Sequence, residues 1–117
     1  KGILEEPKLE KKAKKIIEGE RAATATITIA ELKEKYLREG WKYFDEDLSF
    51  IASMTLIINL DKNISVRAGE VNASMKTRVK GWGIADSIVL ATAQVENAKV
   101  VTGDEHFRGL TEAVFIK

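Results

Sequence analysis

Three carboxylates stand where this chain could do chemistry: Glu31, Asp86 and Asp104. Each falls at a change of local pattern. Glu31 follows a run of small and β-branched residues, Asp86 opens an almost wholly apolar stretch, and Asp104 follows VVTG. Carboxylates brought to one point repel each other unless a cation neutralises them. The chain has no cysteine and a single histidine, so an oxygen donor set favours Mg²⁺ or Mn²⁺ over zinc. Such an ion can generate a nucleophilic water and stabilise charge developing on a phosphodiester.

Each acid also has a purely local explanation. Thr28-Ile-Ala-Glu31 fits a capping box, in which the glutamate reaches back to the start of its helix. Asp86 in a first turn would offset the helix dipole, although an unpaired carboxylate in so apolar a segment is costly. Asp104 after Gly103 fits an ordinary turn aspartate, and Thr102 an ordinary strand threonine.

The elements that must position these residues follow from periodicity. Leu9, Ala13, Ile16 and Ile17 recur at helical spacing behind Pro7, and Gly19 stops that helix. Residues 22–27 predict a short buried strand, and from Thr28 a helix carries Ile29, Leu32, Tyr36 and Leu37 on one face. Asp45 or Asp47 caps a helix with Leu48, Ile51 and Ala52, and TLIINL over 55–60 reads as a strand. Asp61 or Asn63 caps the next helix, whose face is Ile64, Ala68, Val71, Met75 and Val79. Gly81 and Gly83 break the chain before a deeply packed helix over 84–97, and strands follow near 99–102 and 113–116. This alternation predicts an α/β domain, a mainly parallel twisted sheet with helices on both faces. Ligands of such sheets bind beyond the carboxyl ends of the strands, where all three acids fall.

Composition narrows the classes of function. With 117 residues the chain makes one domain, and 44% hydrophobic with 32% charged residues is the profile of a globular protein. No apolar run reaches the roughly 20 residues of a membrane helix, and no signal peptide is visible, so a cytoplasmic location and no membrane partner are expected. Nineteen basic and eighteen acidic residues leave a net charge of +1, unlike a protein that coats nucleic acid.

The order and spacing of TITIAEL (26–32), ADSIVLATA (85–93) and VVTGDEHF (100–107) resemble the PIN-domain family, specifically the small VapC-type toxins of toxin–antitoxin pairs. The resemblance spans essentially the whole chain. It implies a PIN-like three-layer sandwich and an endoribonuclease dependent on Mg²⁺ or Mn²⁺, with RNA as substrate, a cognate antitoxin as partner and a homodimer as the expected assembly. Glu31, Asp86 and Asp104 match the second, third and fourth acidic positions of the family, as catalytic and metal-binding residues. Thr102 matches a small hydroxyl residue that supports the last acid.

One departure stands out. Family members open with a strand that ends in an aspartate, and nothing before Pro7 supplies either. That strand would be central in the sheet. The expectation is therefore a single domain over 1–117 that omits roughly fifteen to twenty native N-terminal residues. The alternative is a catalytically inactive PIN-like module that works by binding protein. A phosphoryl-transfer receiver domain also clusters acids at a sheet edge, but no acidic pair ends a first strand here. Among weaker signals, His106 reads as a loop histidine with a minor claim to proton transfer, and Phe107 as packing. Trp41, Tyr43, Phe44 and Trp82 pack the edges of the core or bury a partner surface. Lys76, Arg78 and Lys80 could grip an RNA backbone.

Overall fold

Small and β-branched residues begin the sheet because they fit a strand covered on both sides. The computed structural model describes residues 21–115; the helix expected behind Pro7 lies outside them. Strand β1 (Ala22–Ala25) is buried at every position and is followed by helices α1 (Thr26–Glu39) and α2 (Phe44–Met54). Then come strand β2 (Leu56–Ile58), helices α3 (Lys62–Met75) and α4 (Ile84–Glu96), strand β3 (Lys99–Thr102), a 3₁₀ turn (Glu105–Phe107) and strand β4 (Ala113–Phe115). All strand pairs are parallel, in the order β2-β1-β3-β4.

Successive residues of a strand point to opposite faces, and the core divides accordingly. Ala22 and Val101 pack with Leu32, Ile51 and Val114 on one side, under α1 and α2. Ala23, Ala25 and Val100 pack on the other with Val71, Val89, Leu90 and Ala93 from α3 and α4. This is the expected three-layer arrangement. Helix α4 is buried over most of its length, including Val89, Leu90, Ala91 and Ala93, as its all-round apolar pattern required.

Several expectations need correction. Strand β1 ends at Ala25, because Thr26 already opens the helix, so the strand is two residues shorter than the 22–27 run. Leu37 does not join the buried face of α1; it is 70% exposed, whereas Leu32 and Tyr36 are buried. Ala52 likewise lies at the surface, beside buried Ile51. Helix α3 stops at Met75, and Val79 sits in the turns that follow. Asp61 is its cap, with a side chain accepting from the Ile64 amide at 2.8 Å. Strand β2 is an edge strand with Leu56 exposed. Strands β1 and β3 pair directly, Ala22 with Lys99 and Ala23 with Val100.

Candidate metal centre

Parallel strands deliver their carboxyl ends to one edge, and three connections meet there. Strand β1 passes into α1 without a loop, with Ala25 as the N-cap and no side-chain cap. Glu31 therefore lies in the second turn of α1, six residues from the cap. The capping box from Thr28 to Glu31 does not form, and among the described residues Thr28 Oγ1 is buried without a hydrogen-bond partner. Its local explanation gone, the Glu31 carboxyl faces a cleft of about 360 Å³ with Thr28, Thr102, Gly103 and Asp104 in its lining.

Asp86 keeps a capping role. It is the third residue of α4, and its Oδ2 accepts from the Gly83 amide at 3.0 Å. Only 7% of it is exposed. The start of α4 is held against α3 by a relay, in which Trp82 Nε1 donates to Ser87 Oγ at 2.7 Å and Ser87 Oγ donates to Asn72 Oδ1 at 3.0 Å. Trp82 is accordingly buried and its indole is spent on this relay, so it serves no partner surface.

Asp104 caps the 3₁₀ turn, accepting from the His106 amide at 2.8 Å, while its own amide donates to Thr102 Oγ1 at 3.1 Å. Thr102 is 1% exposed and so fixes the loop that carries the acid. That turn brings His106 back over the site. Its Nδ1 lies 2.9 Å from Asp86 Oδ2 and 3.4 Å from Asp104 Oδ1. Gly81 makes room for the ring: it has φ +81°, and a Cβ there would lie 3.3 Å from His106 Nε2.

The electrostatics agree with the geometry. Burial, then Asp104, then Asp86 push the Glu31 carboxyl up from its ordinary 4.5 to about 7. Burial and Asp104 push Asp86 upward, while the Gly83 amide and His106 oppose them. Carboxyls so placed gain from a cation. Asp86, Asp104 and His106 each offer one ligand atom, all within 4.8 Å of one another. Glu31 is outside that group yet close enough to feel both aspartates. The donor set is carboxylate oxygen with one imidazole, which fits Mg²⁺ or Mn²⁺, the imidazole tilting it towards the latter.

The fold thus brings Glu31, Asp86 and Asp104 together and adds His106, which by sequence reads as a loop histidine. The signal available was its position two residues after Asp104, the span of one tight turn. Lys76, Arg78 and Lys80 lie in the α3–α4 connection and not in the cleft lining, where the cations are Lys35 and Arg38. Trp41 and Phe44 pack edge-on against buried Tyr36 at 5.2 and 5.4 Å, whereas Tyr43 is 56% exposed.

Fold and site together define an α/β domain that collects acids at the carboxyl edge of a parallel sheet. The chain belongs to the PIN domain family, whose pattern matches residues 2–112. Two solved structures are similar in fold. A toxin–antitoxin complex from Klebsiella pneumoniae has 23% identity and a TM-score of 0.61, covering 92% of this chain and 85% of that one. VapBC2 from Rickettsia felis, bound to a DNA fragment from its promoter, has 20% identity and a TM-score of 0.62, covering 93% and 84%. No curated protein matches the chain. No described helix is long and apolar enough to cross a membrane.

Proposed function

We propose that this PIN domain is a metal-dependent endoribonuclease and the toxin of a toxin–antitoxin pair, working in the cytoplasm as a homodimer held in check by a cognate antitoxin. The observation that carries the reading is the convergence of Glu31, Asp86 and Asp104, where burial first and then the two aspartates raise the Glu31 carboxyl to about 7. The toxin role draws its support from the two similar structures, both toxin–antitoxin complexes. Asp86, Asp104 and His106 would hold Mg²⁺ or Mn²⁺, with Glu31 beside them. When bound, such an ion supplies a nucleophilic water and neutralises charge on the phosphate.

The chain's own residues do the rest. Asp86 is oriented by the Gly83 amide and Asp104 by the Thr102–His106 turn, so both carboxylates are preorganised. Glu31, with a pKa near neutrality, is suited to accept a proton from an attacking water. Asp86 and Asp104 also have structural uses, and this favours the second reading, an inactive module whose acids are caps. Cleavage of defined RNAs with Mn²⁺ or Mg²⁺ separates the two. Asp86→Asn keeps an acceptor for Gly83 and should fold normally while losing cleavage by at least ~10³-fold. Normal cutting by that variant would remove the assignment.

A further inference from the structure

The connection between α3 and α4 carries charge that the metal centre does not use. From Val71 to Ala85 the chain holds Lys76, Arg78 and Lys80 and no acid, although the sequence as a whole is nearly balanced. All three cations are exposed. Among the described residues they form no ion pair, and Arg78 reaches only the Ser74 hydroxyl, at 3.4 Å. Lys76 caps the carboxyl end of α3, where the helix dipole favours a cation. Arg78 and Lys80 lie beyond that end and have no such use.

The backbone beneath these charges is firmly held. The Arg78 and Val79 amides both donate to the Met75 carbonyl, at 2.9 and 2.8 Å, and the Trp82 amide donates to the Val79 carbonyl at 3.1 Å. Val79 packs against the core cluster that contains Trp82, so the cations between these anchors are displayed on a fixed ridge. The ridge ends at the metal centre. Gly81 passes under the His106 ring, with its Cβ position 3.3 Å from Nε2, and Lys80 is one residue away, about 3.8 Å between Cα atoms. Its ammonium therefore reaches the surroundings of Asp86 and His106 from outside the cleft.

We infer that Lys76, Arg78 and Lys80 form a docking ridge for backbone phosphates of RNA that flanks the cut, on the His106 side of the acids. The inference rests on the nuclease reading and adds a requirement on the substrate, which is length. An RNA that fills only the metal centre gains nothing from the ridge, whereas one that runs past it gains phosphate contacts. The surface itself favours RNA over a protein segment. Between Lys76 and Gly83 Val79 is half-buried and Trp82 buried, which leaves no exposed apolar side chain to anchor a protein interface.

Two fluorescein-labelled single-stranded RNAs sharing one cleavable site test this, one of about 4 nucleotides and one extended on both sides to about 16. With Mn²⁺, wild type should show a KM for the longer RNA lower by roughly tenfold or more. Arg78→Gln/Lys80→Gln should lose most of that advantage through KM and not through kcat. It should also flatten the salt dependence of binding, measured in Ca²⁺, by about 0.7 per lost contact. Arg21→Gln/Lys99→Gln removes the same charge at the amino edge of the sheet and should keep both the advantage and the slope. No length advantage in wild type, or one retained with its salt slope in the Arg78/Lys80 variant, would overturn the ridge and leave the nuclease reading standing. A variant that loses binding to poly-glutamate while its RNA values hold would mark a protein-docking surface and equally overturn the proposal. A wild-type protein that cuts neither RNA with any divalent ion overturns both readings.

Discussion

Replacing Glu31 by Gln should stabilise the metal-free protein at about pH 8 and leave it unchanged near pH 4.5. In the folded state the carboxyl titrates at about 7 instead of 4.5, so the folded protein binds the proton more tightly than the unfolded chain does. That contribution is fully present below about 4.5 and is lost as the pH rises through about 7. The full pKa difference corresponds to ~3 kcal/mol. Glu31 is only half-buried at the cleft, and solvent screening reduces the figure to ~1–2 kcal/mol. Glutamine keeps the shape and carries no charge, so it removes the penalty. Urea unfolding followed by Trp fluorescence in EDTA should show the variant's midpoint higher by roughly 0.5–1 M at about pH 8. Saturating Mn²⁺ should stabilise wild type by ~2–3 kcal/mol and the variant by less, since the ion relieves the same repulsion. The reasoning fails if Glu31→Gln is no more stable than wild type at about pH 8 in EDTA, or if the difference is the same at both pH values.

The remaining predictions concern the residues around the acids. His106→Asn should lower affinity for Mn²⁺ more than for Mg²⁺, because imidazole suits the transition metal; equal losses by calorimetry would place the ring outside the metal site. Trp82→Phe breaks the relay to Ser87 and Asn72 and should cost ~1–2 kcal/mol of stability, while Asp86 loses its rigid support and cleavage falls; an unchanged urea midpoint contradicts this. Gly81→Ala meets both a positive φ and a 3.3 Å approach to His106 Nε2. It should cost ~1–2 kcal/mol and shift the His106 ring resonances in NMR, and unaltered resonances would show that the ring does not depend on that gap.

Much of the fold was legible because its signals are local. Helix α4 announced itself by an apolar run of helical length, and Asp61 by a capping position that the structure uses. Boundaries were harder. Strand β1 gives way to α1 at Thr26 because the chain turns directly from one into the other. Propensity offers no marker where Thr and Ile suit both states. Leu37 satisfied a helical face by spacing, yet only the packing of α2 decides how wide the buried stripe of α1 is.

The same division holds at the site. Residue type, order and the flanking blocks brought out Glu31, Asp86 and Asp104 as candidates, one in the helix after β1, one at the start of α4 and one just past β3. What each one does depended on distance. Asp86 and Asp104 turned out to cap and to serve the cluster at once, and Glu31 lost its capping explanation when the helix began two residues early. His106 became a candidate ligand only through the turn at Asp104, which sets its ring against an aspartate 20 residues away. Periodicity and residue chemistry are written along the chain. Proximity between remote residues, and the burial that moves a carboxyl from 4.5 to about 7, exist only once the sheet has closed around them.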